Sequence, residues 1–81
     1  MNRDEVLQLV RGHLAEELEV EIGRIEEGTR FREDLDADSL DLYELVMELE
    51  DRYGVTVSEQ DAEKIKTGGD AVGFVVERAP A

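Results

Sequence analysis

Residues 31–53 read FREDLDADSLDLYELVMELEDRY, and their spacing predicts a helix over residues 39–53. Asp38 or Ser39 can cap its first turn, and Gly54 stands one residue beyond its end. At 100° per residue, one apolar stripe of this helix faces a core. The stripe consists of Leu42, Leu45, Val46, Leu49 and Tyr53.

The same helix carries a second apolar face. Leu40, Tyr43 and Met47 lie about 120–180° from the middle of the core stripe, and Glu44, Glu50 and Asp51 flank them. One small bundle cannot bury both faces, so the pattern predicts a docking surface of apolar contacts ringed by carboxylates that attract basic partners. Scattered exposed apolar residues are also ordinary on soluble proteins, and spacing alone leaves both interpretations open.

Two segments precede this helix. A first helix is predicted over residues 4–18, begun by Asn2 or Asp4, with an apolar face of Val6, Leu7, Val10, Leu14 and Leu18. Residues 19–37 lose the helical pattern and contain Gly23 and Gly28, which predicts a long loop. Four apolar residues are expected to anchor that loop on the core: Ile22, Ile25, Phe31 and Leu35.

Two further helices follow. Ser58 is expected to cap a short helix that ends near Ile65, and Thr67 or Asp70 opens a last helix that reaches Arg78. The apolar face of the last helix comprises Val72, Phe74, Val75 and Val76. The sequence therefore predicts an all-α fold: a four-helix bundle of three longer helices and one short helix, with a long loop between helices one and two, in a single domain over residues 1–81.

The charge of the chain limits its partners. Twenty-two acidic and nine basic residues give a formal net charge of −13, which repels nucleic acid phosphates and anionic lipids and favours basic protein surfaces. No apolar run approaches the roughly 20 residues that cross a bilayer, and the N-terminus does not resemble a secretory signal. With no cysteine, a disulfide framework or thiolate metal cluster is ruled out. The expectation is a cytoplasmic protein with neither nucleic acid nor membrane as partner.

Ser39 stands at the start of the central predicted helix, where a serine is usually a cap. A catalytic serine needs a base, yet the only histidine is His13 in the first helix, and no Gly-x-Ser-x-Gly turn is present. The protein is therefore not expected to be an enzyme. A helix N-terminus does favour an attached phosphodiester, by roughly 0.3–1 kcal/mol.

The acids before Ser39 partly match a calcium-binding loop. Asp34, Asp36 and Asp38 take its first, third and fifth positions, but Ser39 replaces the sixth-position glycine and Leu45 the twelfth-position glutamate. No metal site is predicted. An acidic interaction module that binds divalent cations weakly remains the alternative from a different functional class.

Residues 31–53 resemble the signature region of acyl carrier proteins of type II fatty acid synthesis. Residues 58–76, SEQDAEKIKTGGDAVGFVV, are similar to the third and fourth helices of that family. The resemblance implies that a phosphopantetheinyl transferase attaches a 4'-phosphopantetheine arm to Ser39, and that the thiol of the arm carries growing acyl chains as thioesters. A carrier for polyketide or specialised lipid synthesis, or an aminoacyl carrier, remains open.

The resemblance also implies two groups of site residues in a protein expected to be a monomer. Fatty acid synthase enzymes and the transferase would present basic patches to a docking group of Asp38, Leu40, Asp41, Tyr43, Glu44, Met47, Glu48 and Asp51. The acyl chain would enter a cavity lined by Phe31, Leu45, Val46, Leu49, Ile65, Ala71 and Phe74.

The chain departs from the family pattern at a few positions. Asp36 stands where the family usually has glycine, and Tyr43 replaces a smaller aliphatic residue. Gly68, Gly69 and Gly73 are expected to weaken the last helix, because each glycine inside a helix costs roughly 1 kcal/mol relative to alanine.

Overall fold

The computed structural model describes residues 2–78, which form five α-helices and one short 3-10 turn. In chain order these are α1 (Arg3–Leu18), the 3-10 turn (Ile22–Arg24), α2 (Phe31–Leu35), α3 (Ser39–Tyr53), α4 (Glu59–Lys64) and α5 (Gly68–Arg78). Between residues 2 and 78 there is no strand, only an isolated bridge that pairs Arg30 with Thr67. The prediction of an all-α fold with three longer helices is confirmed.

Side-chain caps fix where α3 begins. The carboxylate of Asp38 accepts the backbone N–H of Asp41 at 2.9 Å, and the carboxylate of Asp41 accepts the backbone N–H of Asp38 at 3.0 Å. This reciprocal capping box satisfies two backbone donors at the helix start. Gly54 ends α3 in a left-handed conformation with φ 66°. Of the two residues offered as N-cap, Asp38 holds that position and Ser39 is the first helical residue.

The core lies mainly between α1, α3 and α5. Its fully or almost fully buried side chains are Val6, Val10, Leu14, Ile25, Phe31, Leu45, Leu49, Ala71, Val72 and Val75. Leu42 and Tyr53 lie half-buried at its edge. Two expected core residues are exposed: Ile22 in the 3-10 turn by 43% and Val76 on α5 by 37%. Ile22 therefore does not anchor the loop, whereas Ile25, Phe31 and Leu35 do.

The long loop contains a helix that the sequence pattern did not predict. α2 buries Phe31 and Leu35, one turn apart, while Asp34 accepts the backbone N–H of Arg30 at 2.9 Å. That backbone hydrogen bond and the Arg30 guanidinium hold the pKa of Asp34 below its ordinary value. Tertiary burial and this hydrogen bond together stabilise a helix too short to form by itself.

Two glycines of α5 allow the loop to pack closely against it. The backbone N–H of Gly69 donates to the carbonyl oxygen of Glu27 at 2.7 Å. A Cβ added to Gly68 would lie 3.1 Å from the carbonyl oxygen of Glu26. These glycines thus have a packing role that offsets their low helix propensity, whereas a Cβ at Gly73 would meet nothing within 4 Å.

Candidate functional site

The hydroxyl of Ser39 is exposed at the first turn of α3, and it caps no helix. Its Oγ accepts a hydrogen bond from Nη2 of Arg32 on α2 at 2.9 Å. The other serine behaves differently, because Oγ of Ser58 accepts the backbone N–H of Asp61 and caps α4. Of the two serines in the chain, only Ser39 has a hydroxyl that can be modified without removing a helix cap.

A groove of about 260 Å³ opens beside Ser39, between α3 and α4. Apolar side chains from both helices and the residue after α4 line it: Leu42, Leu45, Val46, Ala62 and Ile65. Its other lining residues are Arg32, Ser39, Tyr43, Glu59 and Glu63. An exposed serine hydroxyl thus lies next to an apolar space that a flexible chain attached to it can enter.

The predicted cavity residues fall into four places. Leu45, Val46 and Ile65 line the groove beside Ser39, and Phe31 lines an adjoining groove. Leu49 and Ala71 are fully buried in the core. Phe74 is half-buried against the core, with the guanidinium of Arg78 4.7 Å from its ring centroid. For all seven residues, contact with an acyl chain stays a prediction.

Sequence reasoning missed several residues of the groove. Leu42 was expected only as core, Tyr43 only as a docking residue, and Ala62 not at all. By helical angle Leu42 lies in the middle of the core stripe, so periodicity alone did not separate it from the core residues. Nothing in the sequence marks Ala62, because its position in the groove depends on how α4 packs against α3.

The predicted docking residues share one side of α3. Leu40, Tyr43 and Met47 are exposed by 65%, 52% and 59%, which accounts for the second apolar face of this helix. Around them Asp38 and Asp51 are exposed, and Asp41, Glu44 and Glu48 are half-buried. The side chains of Asp38 and Asp41 are also engaged in the capping box. Contact of this group with partner proteins stays a prediction.

Glu17 of α1 extends the acidic surface next to Glu44. A hydrogen bond between the two carboxyl groups raises the pKa of Glu17 to about 6, and desolvation and the charges of Glu44, Asp41 and Asp38 act in the same direction. No sequence pattern indicates this contact, since the two residues are on different helices. The surface therefore carries a carboxyl group that binds a proton near neutral pH.

The acids that resemble a calcium loop are used otherwise. Asp34 of α2 pairs with Arg30, the residue just before that helix, and Asp38 caps α3. Over residues 2–78, no three His, Asp or Glu side chains are grouped so that they could hold a metal ion. His13 lies on α1 and does not line the groove. Among the described helices, none has the length and apolar character needed to cross a membrane.

Comparison with known proteins agrees with this geometry. The family model described as a phosphopantetheine attachment site matches residues 8–75. The chain is 46% identical to an acyl carrier protein of Rubrobacter xylanophilus over 81 residues, which is 100% of both proteins. It is 43% identical to an acyl carrier protein of Lactobacillus acidophilus over 75 residues, 93% of this chain and 94% of that one. The solved acyl carrier protein of Enterococcus faecalis, described for its high thermal stability, superimposes with a TM-score of 0.84 at 39% identity, covering 98% of this chain and 100% of that chain.

Proposed function

Because the chain belongs to the acyl carrier protein family and carries acyl chains on a covalent 4'-phosphopantetheine arm, we propose that Ser39 holds the arm. Members of this family are carriers and not catalysts, and fatty acid synthesis is their standard context. The single observation that carries the assignment is the Ser39 hydroxyl, exposed beside an apolar groove and free of any capping role. The whole chain would act as one carrier domain.

The chemistry of attachment suits this position. Oγ of Ser39 attacks the β-phosphorus of coenzyme A, the pyrophosphate P–O bond breaks, and 3',5'-ADP leaves with the bonding electrons. The serine proton passes to a base of the transferase or to water. No base is needed next to Ser39 in this chain, and the first turn of α3 offers its N-terminal backbone dipoles to the new phosphodiester.

The thiol of the arm holds the acyl chain as a thioester, and the groove offers the chain shelter from water. Leu42, Leu45 and Val46 form one apolar wall, and Ala62 and Ile65 form the other. Burying the chain there removes apolar surface from water, which stabilises the bound chain by about 0.8 kcal/mol for each CH₂ group buried. The groove is therefore the proposed binding place for the acyl chain.

Carriers of this family interact with a transferase and with synthase enzymes. The finer proposal is that those enzymes present basic surfaces to the docking group on α3 and that this protein meets them as a cytoplasmic monomer. The acids would speed encounter, and Leu40, Tyr43 and Met47 would supply apolar contact.

A pair of serine variants tests the attachment site. Apo protein, coenzyme A, magnesium and a phosphopantetheinyl transferase are combined, and intact mass is measured for the parent, Ser39→Ala and Ser58→Ala. We expect the parent and Ser58→Ala to gain one arm and Ser39→Ala to gain none. Ser58→Ala should lose about 1 kcal/mol of stability with its cap, whereas Ser39→Ala should stay folded with a smaller loss. Arm attachment to Ser39→Ala would disprove the assignment.

A further inference from the structure

Arg32 places a cation in direct contact with the proposed attachment site. It projects from α2, donates from Nη2 to Oγ of Ser39 at 2.9 Å, and lines the groove at the same place. Within residues 2–78 it forms no ion pair, although its helix neighbours Glu33 and Asp34 both pair with Arg30. The guanidinium of Arg32 is thus held beside Ser39 without a carboxylate partner.

The surroundings make a free guanidinium at this point unusual. Residues 33–51 contain nine carboxylates and neither lysine nor arginine. Attaching the arm adds a further negative charge next to Asp36 and Asp38, both exposed. In the part of the chain that the structure describes, the only side-chain hydrogen-bond partner of Ser39 is Arg32. The surrounding carboxylates would repel the negatively charged phosphodiester of the arm, and a cation at this position offsets that repulsion.

We propose that Arg32 binds the phosphodiester of the arm, and so holds the root of the arm beside the first turn of α3. The inference rests on the proposed attachment at Ser39. Once Oγ is esterified, the two non-bridging phosphate oxygens lie two bonds beyond the atom that Arg32 already contacts. The guanidinium fork matches this pair of oxygens and donates charge-assisted hydrogen bonds to them. Because Arg32 also lines the groove, the same contact directs the arm toward the groove mouth.

The alternative role for Arg32 is purely structural: a hydrogen bond that ties α2 to α3 whether or not the arm is present. The two roles differ in one respect. A structural bond affects the apo and the arm-bearing protein alike, whereas a phosphodiester contact stabilises only the arm-bearing form. Comparing the two forms of each variant therefore separates them.

The test uses Arg32→Gln, Arg32→Lys and the matched control Arg52→Gln. Arg52 is an exposed arginine thirteen residues along α3, roughly 20 Å away, and its loss changes the net charge equally. Intact mass and peptide mapping first establish that each protein carries one arm on Ser39. Tm is then measured for apo and arm-bearing forms, and ¹⁵N–³¹P coupling across hydrogen bonds is recorded on the arm-bearing parent.

We expect the arm to raise Tm by roughly 2–6 °C more in the parent and in Arg52→Gln than in Arg32→Gln. Arg32→Lys should retain part of this difference, because it keeps the charge without the fork. Coupling between an Arg32 side-chain nitrogen and the phosphorus should be seen in the parent. An equal effect of the arm on Tm in parent and Arg32→Gln, with no coupling, would overturn the proposal while leaving Ser39 assigned. Failure of every protein to take the arm on Ser39 would overturn both.

Discussion

Asp36 ends α2 with a left-handed backbone, at φ 59°. Glycine reaches that region at no steric cost, whereas residues with a Cβ are penalised there, aspartate less than most. This explains physically why the family pattern has a glycine here. We expect Asp36→Gly to raise the free energy of unfolding by about 0.5–1 kcal/mol, measured by urea denaturation.

Charge must be separated from backbone strain in that experiment. Asp36→Asn removes the same negative charge but keeps a side chain that tolerates the left-handed region about as well as aspartate. If Asp36→Gly raises the free energy of unfolding more than Asp36→Asn does, the difference is due to relief of the left-handed backbone strain. Equal stability of the two variants would contradict the strain at this position.

Glu17 should make stability depend on pH. Its pKa in the folded protein is about 6, above the ordinary 4.5, so the folded state binds the proton more tightly than the unfolded state. The stabilisation from that proton is complete below pH 4.5 and is lost as the pH rises through 6. Above about pH 7 the Glu17 side chain is a carboxylate that neighbouring acids repel, whereas the glutamine of Glu17→Gln stays neutral. The variant should therefore be more stable than the parent at those pH values.

The measurement is the urea midpoint of parent and variant from about pH 4 to 8. The two curves should converge toward pH 4.5 and separate above pH 6. Glu16→Gln, an exposed glutamate one position earlier on α1, serves as the control for the change in net charge. Curves for parent and Glu17→Gln that stay parallel across the range would contradict the raised pKa.

At the scale of the helices, the sequence predicts an element well where caps and burial pattern agree. The bounds of α3 could be predicted because the Asp38 cap, the Leu42–Leu45–Leu49 stripe and Gly54 all indicate the same helix. α2 could not, because a five-residue helix spans fewer than two turns and depends on tertiary packing. The apolar character of Ile22 and Val76 also led to a wrong prediction of burial, because both side chains are exposed.

The glycines of α5 should respond in opposite ways to the same substitution. A Cβ at Gly73 meets nothing within 4 Å, so Gly73→Ala should raise the free energy of unfolding by about 1 kcal/mol through helix propensity. A Cβ at Gly68 would lie 3.1 Å from the carbonyl oxygen of Glu26 and 3.4 Å from Leu7 Cδ1, so Gly68→Ala should lower it. Thermal unfolding of the two variants checks this, and a gain at both positions would contradict the close packing of the loop on α5.

The docking surface of α3 is tested by a charge reversal that should not harm the fold. Glu44→Lys places a cation beside Glu17 and removes a repulsion, so stability should not fall. Asp41 appears equally suitable from the sequence, but its carboxylate closes the capping box, and losing that cap would cost about 1 kcal/mol. Glu44→Lys should slow arm attachment by the transferase about 3–10-fold at low salt, and less at high salt.

Two further variants separate the electrostatic attraction of partners from direct apolar contact with them. Glu77→Lys on α5 makes the same change in net charge away from α3 and should leave the rate near that of the parent. Met47→Ala should slow attachment by a factor that does not vary with salt, because the exposed Met47 side chain contributes apolar contact. If Glu44→Lys and Met47→Ala both react at the parent rate, partners do not dock on this face.

At the scale of the whole molecule, the sequence predicts the class of fold and the character of the surface. The net charge of −13 and the apolar stripe of α3 follow from residue identity and spacing, so they do not depend on how the helices pack. The groove beside Ser39 does not, because it depends on how α4 and Ile65 are placed against α3. Leu49 accordingly could not be told apart from the groove residues Leu45 and Val46 by periodicity, since core and groove lie on the same side of α3.

The central claim is that Ser39 bears an arm whose acyl chain lies in the groove between α3 and α4. Its most direct test is isotope-filtered nuclear Overhauser spectroscopy on protein loaded at Ser39 with a ¹³C-labelled acyl thioester. We predict contacts from the labelled chain to the methyl groups of Val46 and Ile65, which line the groove, and none to Val6, which is fully buried on α1. Contacts to Val6 without any to Val46 or Ile65, or a labelled chain that contacts no methyl group of the protein, would contradict the account.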